Sequence, residues 1–131
     1  MSSAPVAKPP NYQFYFMALN VTHNTTASSL VTTAGNSSYP SLNITKGKIV
    51  QIMPIFPSGS NQLVYVQLKF NQQIFFPTIS QNGFINLNDT PNLLLAFTQD
   101  LQNGGVIDIQ GYNTDTTNDH LISFGFVVQV D

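Results

Sequence analysis

Short runs in which apolar and polar residues alternate, separated by turn residues, recur along this chain. The clearest run is 62–70. Because successive side chains of a β-strand point to opposite faces, one alternate set is expected to face the core and the other to face solvent or a subunit. The predicted core set is Val64, Val66, Leu68 and Phe70, and the predicted outward set is Leu63, Tyr65, Gln67 and Lys69.

Further runs of the same kind predict more strands. They lie at 12–20, 42–45, 48–56, 73–76, 84–87, 93–98, 106–112 and 121–130, with a weaker one near 30–33. Pro54 places a sheet edge or a bulge in the run 48–56, because proline cannot donate to a strand ladder. In the run 106–112, Asp108 and Gln110 are expected to face outward. A helix over 93–101 is the alternative there, but Pro91 and the β-prone neighbours disfavour it.

The spacing of these runs predicts an all-β fold, a single jelly-roll-like sandwich of about eight antiparallel strands. Residues 1–10 contain three prolines and small residues, and predict an extended N-terminal arm that is either frayed or ordered against a neighbour. Residues 11–131 are expected to form a single β-sandwich domain. Within it, the polar stretch 22–40 reads mostly as loop.

Charged side chains are scarce, whereas amides and hydroxyls are abundant. Only 10 of the 131 residues are Asp or Lys, and the chain contains no Glu, Arg, Cys or Trp. Asn, Gln, Ser and Thr together supply 48 residues. Without arginine and with a net charge of −2, the chain has no electrostatic footprint for direct nucleic-acid binding. No apolar run approaches the roughly 20 residues of a membrane helix, and no secretory signal is evident. The sequence therefore predicts no membrane-spanning segment and synthesis in the cytoplasm.

The same composition argues against an enzyme. No catalytic or cofactor motif occurs, and His23 and His120 would each need a nucleophile and an orienting acid. The segment 115–120 is the one cluster of metal-ligand types, but Asp and Asn are also common in turns. Five Asn-x-Ser/Thr triplets occur, and without a secretory signal we attribute them to the composition rather than to glycosylation. We therefore predict no catalytic residue, no metal site and no cofactor.

Aromatic residues divide into two predicted groups. The phenylalanines within strand runs are expected in the core: Phe14, Phe16, Phe56, Phe70, Phe75, Phe76, Phe97, Phe124 and Phe126. Tyrosines suit a partly wet contact surface because their hydroxyl groups accept water at one edge. Together with the outward side of the run 62–70, they give a predicted interface at Tyr12, Tyr39, Tyr65, Gln67 and Lys69.

From about Val50 to Tyr112, the order of turns and strands resembles a family of small phage jelly rolls. Its elements are the polar turn after 51–56, the strand 63–70, the short strand ending at Pro77, the step Gly83-Phe84, the strand after Pro91 and the Gly-Gly-led strand 104–113. The pattern is similar to the penton, or vertex, proteins of tailless membrane-containing phages with double jelly-roll coats. The chain departs from it in its lack of charge and in an additional strand at 121–130.

The resemblance implies a virion structural protein, made in the host cytoplasm, that assembles around an axis. The implied partners are copies of itself in a ring-like homo-oligomer, with a pentamer favoured, and other capsid proteins. Because of the departures, the position of the protein in the virion stays open: it could sit at a vertex, decorate the capsid, or belong to a tail or spike. The alternative function is a carbohydrate- or receptor-binding β-sandwich module of a spike or tail.

Overall fold

A computed structural model describes residues 10–77, 83–88 and 93–130, and these form nine β-strands and no helix. In chain order the strands are β1 Tyr12–Val21, β2 Val31–Thr32, β3 Leu42–Ile44, β4 Lys48–Ile55, β5 Val64–Phe70, β6 Gln73–Phe76, β7 Leu95–Asp100, β8 Gly105–Asn113 and β9 His120–Gln129. Across these residues, therefore, no helix long and apolar enough to cross a membrane is present.

The strands make two antiparallel sheets that pack face to face. The first sheet has the order β1-β9-β4-β7, and the second has the order β2-β8-β5-β6 with β3 also paired to β8. The longest pairing joins β1 to β9, from Tyr12 opposite Gln129 to Val21 opposite His120. The predicted all-β sandwich is thus confirmed, with nine strands in place of about eight.

The core lies between the two sheets, where alternate residues of each long strand point inward. Its fully buried side chains come from both sheets, and include Leu19, Ile49, Ile52, Phe56, Val64, Val66, Leu68, Leu101, Ile107, Ile109, Ile122, Phe124 and Phe126. The predicted inward set of the run 62–70 is confirmed for its first three members, and Phe70 is half-buried at the sheet margin.

One local expectation is not met, and two pairs of alternatives are resolved. The predicted strand at 84–87 is reduced to a single bridge between Ile85 and Val66. The bulge in β4 falls between Ile49 and Gln51 rather than at Pro54. The other alternative, a local sheet edge at Pro54, agrees with the structure: the described register with β7 ends at Ile52, so Pro54 is paired on the β9 side alone. The helical alternative at 93–101 is excluded by β7.

The outer face of the second sheet is covered rather than exposed. Asp108, expected to face outward, is 5% exposed because the 33–41 loop lies over it. Its carboxylate accepts hydrogen bonds from the hydroxyl of Thr33 at 2.8 Å and from that of Ser41. A carboxylate can be buried here because these hydroxyls replace the water that it loses. The predicted arm, residues 1–10, lies outside the described residues except for Pro10.

Candidate assembly surface

The outer face of the first sheet is built from rows of residues in register across its strands. Paired residues of antiparallel strands point to the same face, so the register defines each row. Three successive rows are Phe14, Val127, Gln51 and Ala96; then Phe16, Gly125 and Met53; then Ala18, Ser123 and Ile55. None of these side chains carries a charge, and a neighbouring row with Lys48 and Asp100 borders them at one end.

Aromatic side chains of this face are strongly exposed. Phe14 is 72% and Phe16 is 63% exposed, so their predicted place in the core is wrong. The reason is that β1 presents aromatic residues on both of its faces. Tyr15 and Met17 point inward with the core, and the alternate residues necessarily point outward.

The large hydrophobic side chains with the greatest exposure in the described part of the chain all gather here. They are Tyr12, Phe14, Phe16, Leu94 and Leu121. At about 200 Å² for a large side chain, the exposed fractions of the first four add up to about 450 Å². The largest patch on an ordinary monomer is about 300–600 Å² and is often functional. We call this outer face of the first sheet the aromatic face.

The strand that carries the aromatic face is also an edge. Within the described residues, β1 pairs with β9 on one side and with no strand on the other. Natural edge strands usually carry a lysine, a proline or a bulge that blocks pairing with another chain. β1 is ten residues long, contains none of these residues and keeps an uninterrupted register with β9. Its outer backbone groups are therefore suited to contact with another chain.

The surface of the aromatic face is not flat, because two open grooves cross it. One, of about 470 Å³, is lined by Tyr12, Phe14, Val50, Gln51 and Val127. The other, of about 480 Å³, lies where β1 meets the loop around Tyr39 and Pro40. Such grooves allow side chains of a partner to interdigitate, which a flat sheet does not.

The five residues predicted as an interface do not form one surface. Tyr12 lies on the aromatic face, and Tyr39 lines the second groove beside β1. Tyr65, Gln67 and Lys69 lie on the outer side of the second sheet. Whether any of them contacts a partner stays a prediction.

The second-sheet group is only partly accessible. Gln67 points away from the core as predicted, but it is only 1% exposed because the segment 83–88 covers it. Its amide donates to the carbonyl of Gly83 at 2.8 Å and accepts from Gln110. The ring of Tyr65 stacks on that of Tyr112 with centroids 4.7 Å apart, and Phe84 closes the cluster edge-on at 5.3 Å from Tyr112. The sequence alone did not indicate that the segment 83–88 covers Gln67, because this segment is separated from β5 by the strand β6 and further residues.

Two pairs of histidine and aspartate lie in the loops at one end of the sandwich. His120 contacts Asp115 at 2.9 Å, and His23 contacts Asp119 at 2.5 Å. The backbone N–H of Thr117, with help from His120, lowers the pKa of Asp115 well below its usual range. Hydrogen bonds from His23 likewise lower the pKa of Asp119.

These loop contacts are those of a turn. The Asp115 carboxylate accepts from the backbone N–H groups of Thr117 at 2.9 Å and Asn118 at 3.2 Å, which is the pattern of an Asx turn. No group of three or more potential metal ligands occurs in the stretches 10–77, 83–88 and 93–130. These hydrogen bonds fix the conformation of the loop at 115–120.

Comparison with known proteins gives a similarity of fold. No protein-family model matches the sequence, and neither does any curated protein. Among solved structures, the chain is similar to a chain of the capsid asymmetric unit of cyanophage Pam1, with a TM-score of 0.51 and 9% sequence identity. The alignment covers 100% of this chain and 93% of that chain. At this identity the similarity shows the fold alone: the two-sheet sandwich is one that a phage capsid contains.

Proposed function

We propose that this protein is a structural component of a virus particle and that it has no enzymatic activity. The finer proposal is a minor capsid, penton or vertex component, made in the host cytoplasm, that assembles as a ring-like homo-oligomer beside other capsid proteins. A pentamer is the favoured ring. The fold similarity to a capsid chain, which extends over the whole sequence, supports the general class.

The observation that carries the proposal is the exposed aromatic face. An apolar patch of this size is often functional in a monomer, and where nothing covers it, it is an aggregation liability. A capsid component is different, because neighbours cover such a surface permanently. The rows of Phe14 and Phe16 contain only apolar, amide or hydroxyl side chains, so covering them leaves no ion unpaired.

The size of the patch suits a stable contact between proteins. Covering about 450 Å² on one copy contributes about 11 kcal/mol at about 25 cal/mol per Å². Bringing two proteins together costs about 4–15 kcal/mol before side-chain ordering. The partner buries apolar surface in the same contact, so one contact of this size offsets the cost of association, and a closed ring gives each copy two of them.

A glycan-binding module is the alternative, and the cluster of Tyr65, Tyr112 and Phe84 is the place to look for it. Sugar recognition needs an aromatic ring with an open face. Here the two tyrosines are half-buried, are stacked on each other at an interplanar angle of 8°, and have Phe84 against their edge. This geometry favours a packed cluster over a sugar platform.

The test is the mass of the purified protein in solution, measured by native mass spectrometry and light scattering over a range of concentrations. We expect a defined closed oligomer, seen as a ring in negative-stain images. A glycan array run on the same sample tests the alternative. A protein that stays monomeric at every concentration and binds a defined glycan would contradict the structural role.

A further inference from the structure

We propose that the aromatic face and the free edge of β1 form the contact surface for a second copy of this chain. The inference rests on the proposed function, and names the surface through which the copies meet. The structure favours it over two other candidate surfaces, the partly covered outer side of the second sheet and the charged loops that hold Asp115 and Asp119.

The first step is that the exposed apolar side chains are not scattered. Leu94, next to β7, lines a further, smaller groove of this face together with Phe14, Phe16 and Met53, although it lies on the far side of the sheet. Leu121 pairs with Asn20 at the other end of β1. The aromatic face thus extends from one edge of the first sheet to the other. Scattered apolar residues need no explanation, but a continuous patch of this kind marks an interaction site.

The second step concerns size. A stable protein contact covers about 800 Å² on each partner, with an apolar centre and a polar rim. The exposed aromatic and leucine side chains supply about 450 Å², which is enough for such a centre. Asn20 at one end, with Lys48 and Asp100 at the other, supplies polar residues where a rim is needed.

The third step identifies the occupant. An unblocked edge strand is a template for any extended chain, and the same chain is always present at the same place and concentration. Most soluble oligomers are accordingly homo-oligomers. The aromatic face also carries no net charge: its border has one cation, Lys48, and one anion, Asp100, in register. A strongly charged partner finds no opposite charge to pair with on this face, whereas a second copy of this chain meets no electrostatic repulsion.

The test compares Phe14→Lys with Ser58→Lys. Both add one positive charge at an exposed position, but Ser58 lies in the turn after β4, off the aromatic face. We expect Phe14→Lys to raise the concentration needed for assembly at least about tenfold, as for a central contact residue. Ser58→Lys is expected to assemble like the wild type. Thermal unfolding of both variants checks that the monomers stay folded.

A second measurement locates the contact directly. The chain has no cysteine, so Phe14→Cys and Ser58→Cys each introduce a single thiol. Maleimide labelling at position 14 is expected to slow at least about tenfold at assembling concentrations relative to dilute protein. Labelling at position 58 is expected to stay constant.

The outcomes separate the inference from the proposed function. If Phe14→Lys assembles as well as Ser58→Lys and position 14 stays reactive, the contact lies elsewhere, and the structural role stands without this inference. If the wild type never assembles alone, both self-association and the inference fail. Protection of position 14 only after a different capsid protein is added would also overturn it, since the occupant would then not be a second copy.

Discussion

The ring of Phe16 lies over Gly125 on the neighbouring strand β9. A Cβ atom added at Gly125 would stand 2.8 Å from Cε1 of Phe16 and 3.0 Å from Cε of Met53. Both neighbours are the ends of side chains, and the Phe16 ring is mostly exposed. The glycine therefore gives the aromatic ring a place to lie flat on the sheet, at the centre of the aromatic face.

This relationship predicts a difference between two glycines. We expect Gly125→Ala to change the free energy of unfolding by less than about 1 kcal/mol, because the Phe16 ring can swing outward. Gly111→Ala is the matched control, because its Cβ would meet the backbone oxygen of Tyr65 at 2.3 Å. We expect it to cost at least about 2 kcal/mol, because backbone in the middle of a sheet cannot yield. Urea unfolding of both variants provides the measurement, and equal losses would contradict the argument.

The register of β5 is tested by Val66→Asp and Tyr65→Ser. Val66 is fully buried, so an aspartate there places an unpaired charge in the core, and we expect the chain not to fold, a loss of more than about 4 kcal/mol. Tyr65→Ser is expected to fold. Because Tyr65 loses its stacking on Tyr112, we expect a cost of at least about 0.5–1.5 kcal/mol in addition to the lost apolar contact. Circular dichroism and thermal unfolding distinguish the two, and similar losses would show that the faces are assigned wrongly.

Weaker assembly of Tyr65→Ser would in addition show that the outer side of the second sheet contacts a subunit. Light scattering at matched concentrations of the wild type and this variant gives that comparison. Unchanged assembly would remove Tyr65 from the predicted interface.

The buried carboxylate of Asp108 is expected to hold the 33–41 loop against the second sheet. Asp108→Ala leaves the hydroxyl groups of Thr33 and Ser41 without this acceptor, so we expect a loss of about 1–3 kcal/mol. Asp108→Asn keeps one carbonyl oxygen as acceptor and is expected to lose less. We expect limited proteolysis to cleave the 33–41 loop faster in Asp108→Ala than in Asp108→Asn or the wild type. Equal protection in both variants would show that other contacts hold the loop.

Acid is expected to loosen the loops at the charged end of the sandwich. The pKa of Asp115 is lower in the folded protein than the value of about 3.9 for a free aspartate. Its ionised form therefore stabilises the fold above about pH 4, and this contribution is lost as the pH falls through the folded pKa. Unfolding free energies measured between about pH 2 and 7 are expected to decline on the acid side in the wild type.

Asp115→Asn is the corresponding variant, and Asp119→Asn is its comparison. We expect Asp115→Asn to flatten the acid branch of the stability curve, because the titrating group is gone. Asp119→Asn is expected to flatten it less, because that side chain is 41% exposed against 12% for Asp115 and water screens its interactions. An acid branch unchanged by Asp115→Asn would remove this carboxylate as the cause.

Most of the fold, but little of the surface, follows from local pattern. The strands β5 and β9 have clear alternation, and their inward residues were predictable for that reason. β1 has apolar residues at both parities, so its pattern does not reveal which face is covered. The exposure of Phe14 depends on whether anything packs outside the first sheet, and that is a property of the topology.

Burial of polar residues was also beyond local pattern. Asp108 and Gln67 follow the alternation correctly and point away from the core. They are buried because the segments 33–41 and 83–88 lie across the second sheet, and these contacts join parts of the chain far apart in sequence. The type of a polar residue does not reveal whether another part of the chain covers it.

The pairing of β1 with β9 affects how the chain folds during synthesis. β1 is the first described strand to leave the ribosome, and β9, which forms its ladder, is the last. Contacts between such distant segments form slowly, because a long loop must close first. Until β9 has been made, the strand that pairs with β1 among the described residues is therefore missing. During that time β1 is available to other chains, so correct folding depends on how fast β9 arrives.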